Sequence, residues 1–180
     1  MARFDPHRPT PAGEPQADPD GRTIIYIGAN LGTSACEVFG GSNQASICPA
    51  YRVALIRPIR RLRFFDIAAE GSAMAIGGLP ALGNAPLPRI QTAAWAQAIY
   101  EDDPLGVHAD GIKYTSGYNS GDALAIWDSA GKLTVAPQAD ADMPLNDPGM
   151  LGLLKRALTH TSIVVRDIPA RECQACSRTR

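Results

Sequence analysis

Short runs of apolar, β-rich residues punctuate this chain. They fall at Thr23–Ile27 (TIIYI), Tyr51–Ile56 (YRVALI), Leu62–Asp66 (LRFFD), Ile112–Ser116, Ala123–Trp127 (ALAIW), Lys132–Val135 and Ser162–Val165. Each predicts a strand. Ala130-Gly131 predicts a hairpin turn into Lys132–Val135. A helical period replaces this pattern in four places. After the first strand, Asn30 or Thr33 can cap a helix that carries Ala35, Val38 and Phe39 inward and ends at Gly40-Gly41. Ala68–Ile76 reads as a helix stopped by Gly77-Gly78. Arg89–Tyr100 has an apolar stripe of Ile90, Ala94, Trp95, Ala98 and Ile99, and Pro148–Thr159 has Leu151, Leu154 and Leu158 on one face. Strands and helices mix without a βαβ rhythm. That predicts an α+β domain with a compact mixed or antiparallel sheet and flanking helices. One domain over residues 1–180 is expected, with its core at 3–166, an irregular proline-rich loop at 4–22 and a loose tail at 168–180.

Composition narrows the function classes. Apolar residues make up 45% and charged residues 19%, enough apolar content for a globular core. Net charge is −1, so no overall field favours direct nucleic-acid binding or an anionic membrane. No apolar run approaches the roughly 20 residues that span a bilayer. MARFDPHRPTP has no signal-peptide core, and a cytoplasmic location is expected. Neither a dinucleotide G-x-G-x-x-G nor a P-loop is present, so any nucleotide site must be built differently.

Several residues invite a chemical reading and a plainer one. Cys173 and Cys176 form a single C-x-x-C, half of a closed zinc site. Cys36 and Cys48 could complete it, yet no spacing requires them. The pair reads as simple tail thiols, and no metal is expected. Arg57, Arg60, Arg61 and Arg63 read as a solvated turn, because no aromatic platform accompanies them. His7, His108 and His160 are scattered and read as surface or structural. Arg3, Tyr26, Glu37 and Ser116 remain. Singly, they could be a terminal charge, a core phenol, a solvated helix acid and a turn residue.

Their order along the chain adds information. RFDPH is followed by IIYIGANLGTSACEVFG, LRFFDIA, RIQTAAWAQAIY and DGIKYTSGYNSGDALAIWD. This succession resembles the RES domain family across roughly Arg3 to Val165, including the interval from Tyr26 to Glu37. The family commonly shows an opening R-F, a strand ending Y-x-A, A-x-x-E-x-F, and later G-I-x-Y-x-S. Many relatives place the arginine in G-R-W-N about ten residues before the tyrosine. Here position 16 is Gln, Arg3 is the better match, and Arg22 is a second candidate. Members usually have a further strand ahead of the R-F.

The resemblance implies a fold related to ADP-ribosyltransferases and NAD as substrate, with no cofactor. It implies cleavage of the nicotinamide–ribose bond, with water or phosphate as acceptor. Arg3, Tyr26, Glu37 and Ser116 would carry the activity. Arg3, Tyr26 and Ser116 would also bind NAD, with Asn119 a weaker candidate. It further implies the toxin half of a toxin–antitoxin pair and a cognate antitoxin with a helix-turn-helix part, and it leaves room for a homo-oligomer. Three rival readings stay open: ADP-ribosyl transfer to a protein, an inactive, truncated RES domain that serves as a binding module, and a small zinc-binding protein using the C-x-x-C.

Overall fold

The computed structural model describes residues 3–7, 22–84, 87–104, 106–173 and 176. Most of the proline-rich stretch expected as a loop lies outside the described residues.

The chain forms an α+β fold around a four-stranded sheet of order β1-β7-β6-β5. β1 is Ile24–Gly28, β5 Phe64–Asp66, β6 Gly111–Thr115 and β7 Asp122–Trp127. β7 runs antiparallel to both β1 and β6, while β5 lies parallel to β6. A parallel pair needs a crossover. Here it consists of α2 (Ser72–Ala75), α3 (Ala81–Asn84) and α4 (Arg89–Asp102). Three two-stranded pairings surround the sheet. β2 (Gln44–Ile47) pairs with β10 (Val164–Asp167), β3 (Arg52–Ala54) with β9 (Asp142–Pro144), and β4 (Ile56–Pro58) with β8 (Leu133–Val135). Two further helices, α1 (Leu31–Phe39) and α5 (Pro148–Ala157), pack together.

Side chains alternate across a sheet, so one face collects every second residue. On one face stand Ile24 and Tyr26 of β1, Ala123, Ala125 and Trp127 of β7, Ile112 and Tyr114 of β6, and Phe65 of β5. Tyr26 lies opposite Ala125, and Tyr114 opposite Ala123. Two alanines on the central strand leave room for the flanking tyrosine rings, which meet edge to face at 6.5 Å. Phe4, fully buried, covers this face with Ala96 and Ile99 of α4. The indole N–H of Trp127 donates to the Phe4 carbonyl at 3.1 Å. A second core gathers Ala35, Cys36 and Phe39 of α1 with Ala45, Ile47, Leu154, Leu158 and Ile163.

Several expected elements differ in detail. Thr33 N–H donates to the Asn30 side chain at 2.9 Å, so Asn30 is the cap of α1. Ala35 and Phe39 are buried as expected, but Val38 is 64% exposed. Ala68–Ala69 forms a turn on the Asp66 carboxylate, and Gly71 has φ +74°, so the second helix starts only at Ser72. In α4 the buried positions are Thr92, Ala93, Ala96 and Ile99, not Ile90 and Ala94. An alanine-rich helix shows a weak stripe, and packing chose the neighbouring face. β8 forms no hairpin with β7, because both edges of β7 are already paired to β1 and β6; it joins β4 instead. The YRVALI run is interrupted at Leu55, between β3 and β4, where its N–H and C=O pair with Ala141 and Ala136 as pairing passes from β9 to β8. The tail is not loose as far as Cys173. Ile168 N–H donates to Ile47 O at 2.8 Å, a 3₁₀ turn spans Ala170–Glu172, and Cys173 is buried.

Candidate active site

A cleft of about 660 Å³ opens beside β1 and α1, lined by Arg3, Tyr26, Ile27, Gly28, Ser34, Glu37, Val38, Leu87, Arg89, Gly117 and Tyr118. Three of the expected residues therefore share one cavity, although they come from the N-terminal segment, a strand and a helix.

The strand–turn–helix sets the cleft's shape. Gly28 N–H donates to the Ser34 hydroxyl at 3.2 Å. A Cβ on Gly28 would collide with the backbone of Ser34, so glycine is what lets α1 lie this close to β1. Ser34, Glu37 and Val38 follow at i, i+3 and i+4 and form one helix face along the wall. This explains why Val38 is exposed: it lines the cleft instead of filling the core.

Glu37 is half-buried, and its Oε2 accepts a hydrogen bond from the Tyr114 hydroxyl at 3.0 Å. Tyr114 is itself buried in the sheet face. Burial, then the charge and hydrogen bond of Glu37, push the Tyr114 phenol well above its ordinary value. It remains a donor and holds the carboxylate in place. Sequence reasoning passed over Tyr114. The signal was available: it lies two residues before Ser116, on the same strand face as Ile112.

Arg3 spans the buried edge of the site. Its guanidinium lies 5.0 Å from the Phe4 ring centroid and 5.6 Å from that of Tyr114, and Nη2 donates to Leu82 O at 3.0 Å. Burial lowers its pKa, against the opposing influence of Tyr114, Glu37 and Tyr26; an arginine stays charged nonetheless. The backbone that carries Arg3 is pinned. Phe4 N–H donates to the Tyr26 hydroxyl at 2.8 Å, and that hydroxyl donates to Asp5 Oδ1 at 3.2 Å. Burial and the Asp5 carboxylate raise the Tyr26 phenol far above its usual range. Tyr26 thus keeps its ring against the cleft while its hydroxyl secures the segment that bears Arg3.

Arg22, the alternative arginine, is engaged elsewhere. It donates to Pro6 O at 2.7 Å, pairs with Glu101 at 2.7 Å and stacks over Tyr100 at 4.7 Å. Ser116 and Asn119 lie in the same β6–β7 loop as the lining residues Gly117 and Tyr118. Ser116 is buried and its Oγ accepts from Tyr118 N–H at 3.3 Å. Asn119 donates to Thr33 Oγ1 at 3.3 Å and accepts from Gly121 N–H at 3.1 Å. Together they brace the β6–β7 loop, whose Gly117 and Tyr118 reach the cleft. In this geometry the Ser116 and Asn119 side chains bond within the loop and to Thr33. Arg89, in the first turn of α4, adds a second cation to the lining.

Outside the cleft, Arg60 of the basic run is bidentate to the buried Asp110 at 2.6 and 3.0 Å. His7 Nε2 lies 3.0 Å from Arg22 O, and His108 pairs with Asp103 at 3.0 Å. Among the described residues no helix is long and apolar enough to cross a membrane. Cys36 lies buried in the second core, whereas Cys48 meets Cys173 and Cys176.

The RES domain family model matches residues 1–146, most of the chain. The chain belongs to the RES domain family. Searches of curated proteins and of solved structures find no match. The RES match includes every residue that lines the cleft and ends just before α5.

Proposed function

We propose that this RES domain binds NAD in the cleft and breaks its nicotinamide–ribose bond. The observation that carries the proposal is the meeting of Arg3, Tyr26 and Glu37 in one cavity, with the carboxylate held by Tyr114. A cleft of about 660 Å³ is of the size that encloses a cofactor-sized ligand. NAD offers a pyrophosphate, a cationic ring and a labile glycosidic bond. Arg3 would present a planar fork to phosphate oxygens, and Arg89, which also lines the cleft, adds a second cation. The Tyr26 ring provides an aromatic face for the nicotinamide cation, worth about 0.5–2 kcal/mol.

As nicotinamide departs, positive charge develops on the ribose. The Glu37 carboxylate is fixed where it can stabilise that charge without reorganising. Nicotinamide leaves neutral, so a second carboxylate to protonate the leaving group is unnecessary, unlike in most glycosidases. Water or phosphate then completes the bond to the anomeric carbon, giving ADP-ribose or ADP-ribose 1″-phosphate. We extend the proposal to the ADP-ribosyltransferase-like ancestry that this chemistry suggests. A protein that drains NAD harms its own cell unless restrained, which suggests a toxin held by an antitoxin with a helix-turn-helix part. An adjacent reading frame of that kind would support this.

Incubation with NAD, followed by separation of nicotinamide, ADP-ribose and ADP-ribose 1″-phosphate, tests the reaction and identifies the acceptor. Glu37→Ala is expected to slow nicotinamide release more than about 100-fold, since a stabilising group of this kind is worth about 2.7 kcal/mol or more. Turnover near that of the unaltered protein would sink the assignment. Label from clickable NAD retained on a protein would favour ADP-ribosyl transfer. Intact NAD would favour a binding module.

A further inference from the structure

A second cluster of chemistry lies apart from the cleft. The sulfurs of Cys48, Cys173 and Cys176 all lie within 4.8 Å of one another, and the Cys48 and Cys176 sulfurs are 3.4 Å apart. Cys48 directly follows β2, and Tyr51 N–H donates back to its carbonyl at 3.0 Å. Cys173 ends the 3₁₀ turn after β10, where its N–H donates to Ala170 O at 3.2 Å. Parallel pairing of β10 with β2 therefore delivers the C-x-x-C to Cys48, across 128 residues of sequence.

The distances fit metal coordination. Tetrahedral bonds of about 2.3 Å to zinc separate two thiolate sulfurs by about 3.8 Å. A disulfide needs only two sulfurs, at about 2.05 Å. Here three converge, two of them buried and the third half-exposed, and the C-x-x-C has a spacing common in zinc sites. We propose that Cys48, Cys173 and Cys176 form a three-thiolate site for zinc or a similar thiophilic divalent ion. The ion staples the C-terminal segment to β2. Water takes the fourth tetrahedral position. On uptake by the three thiols three S–H bonds are lost, three metal–sulfur bonds form and three protons pass to solvent, so no oxidant is required. Two of the ligands lie beyond the span matched by the family model, so the ion would fasten a segment outside that span to a strand within it.

The test uses the full chain, purified under reducing conditions, with Co²⁺ as the probe and elemental analysis for zinc. The expected result is stoichiometric metal, thiolate-to-cobalt charge transfer and the visible bands of tetrahedral Co²⁺. Cys176→Ser is the decisive variant, because its position is half-exposed and the fold can be checked by circular dichroism. It should bind Co²⁺ more than about 100-fold more weakly, since even loss of a supporting partner costs 10–100-fold. Cys48→Ser should do the same, and Cys36→Ala should bind as the unaltered chain does. A chelator should lower the melting temperature of the unaltered protein by several degrees and leave that of Cys176→Ser unchanged. Absence of the cobalt bands with all thiols reduced would overturn the proposal. So would full metal retention in Cys176→Ser, or a Cys48–Cys176 disulfide as the species that fixes the tail.

Discussion

Glu37 draws its place in the site from Tyr114, a residue on another element 77 positions away. The phenol gives the carboxylate a donor that burial keeps protonated, so the pair does not come apart across the neutral range. Tyr114→Phe removes only the hydroxyl and keeps the ring that packs against Phe4 at 4.8 Å. A hydrogen bond to a charged group contributes about 1.5 kcal/mol or more. On the proposed chemistry kcat should fall about 10-fold, with little change in KM. The melting temperature should stay within a few degrees, because half-buried Glu37 can recover its hydrogen bond from water. Nicotinamide release measured against NAD concentration gives the split. An unchanged kcat would remove Tyr114 from the positioning role. A loss as large as that of Glu37→Ala would make it a group that touches substrate. Residue-level roles of this kind were only partly legible in the sequence. Tyr26 and Glu37 stood out through motif order, and Arg3 over Arg22 through the opening R-F. The partner of Glu37 was hidden because it depends on which face of β6 meets α1, and that is a tertiary fact.

At the scale of elements, the sequence was most informative where local pattern and tertiary demand agree. β1, β6, β7, α1 and α5 announce themselves because each sends its main core residues into one of the two clusters, while Ile27 and Val38 line the cleft. It was least informative where pairing decides the outcome. β2 and β9 have no distinctive pattern, and β8 was assigned to the wrong neighbour because the saturation of both β7 edges cannot be read locally. The same limit applies to the β6–β7 loop. The resemblance alone gave Ser116 and Asn119 a substrate role, and the local pattern did not show that their side chains also bond within the loop and to Thr33. This yields a discriminating prediction. If Ser116 acts by holding the Tyr118 backbone, Ser116→Ala should raise KM for NAD by about 3- to 10-fold while kcat holds, the mark of lost ground-state binding. Steady-state kinetics would measure both. An equal fall in kcat and kcat/KM, with KM unchanged, would instead make Ser116 a transition-state contact.

The whole molecule is bounded in pH from two sides by groups that titrate in opposite senses. Asp110 is buried and accepts hydrogen bonds from Arg60, from Lys132 and from the Arg63 backbone. Burial alone would raise its pKa, but Arg60, the Arg63 N–H and Lys132 together hold the carboxyl well below its ordinary value. The unfolded chain takes up this proton below about pH 4, whereas the folded chain keeps the carboxylate ionised. Stability from Asp110 is therefore present above that pH and is lost as pH falls further. Tyr26 and Tyr114 work in the opposite sense. Burial raises both phenols, so the unfolded chain releases their protons near pH 10 while the folded chain retains them. Their contribution is intact below pH 10 and is lost as pH rises through the folded-state values. Urea denaturation across pH should therefore show a plateau flanked by an acid and an alkaline decline. Asp110→Asn should flatten the acid limb and lower the plateau by more than the about 0.5 kcal/mol of an ordinary surface change. Tyr26→Phe should flatten part of the alkaline limb and leave the acid limb alone. It would also loosen the Phe4 backbone that its hydroxyl now accepts from, and with it Arg3. Weaker binding of the NAD phosphates and a flatter alkaline decline should thus appear together in that variant, seen as a raised KM for NAD beside the altered denaturation profile. A Tyr26→Phe protein with the full alkaline decline and an unchanged KM would show that this hydroxyl anchors neither the fold nor the arginine.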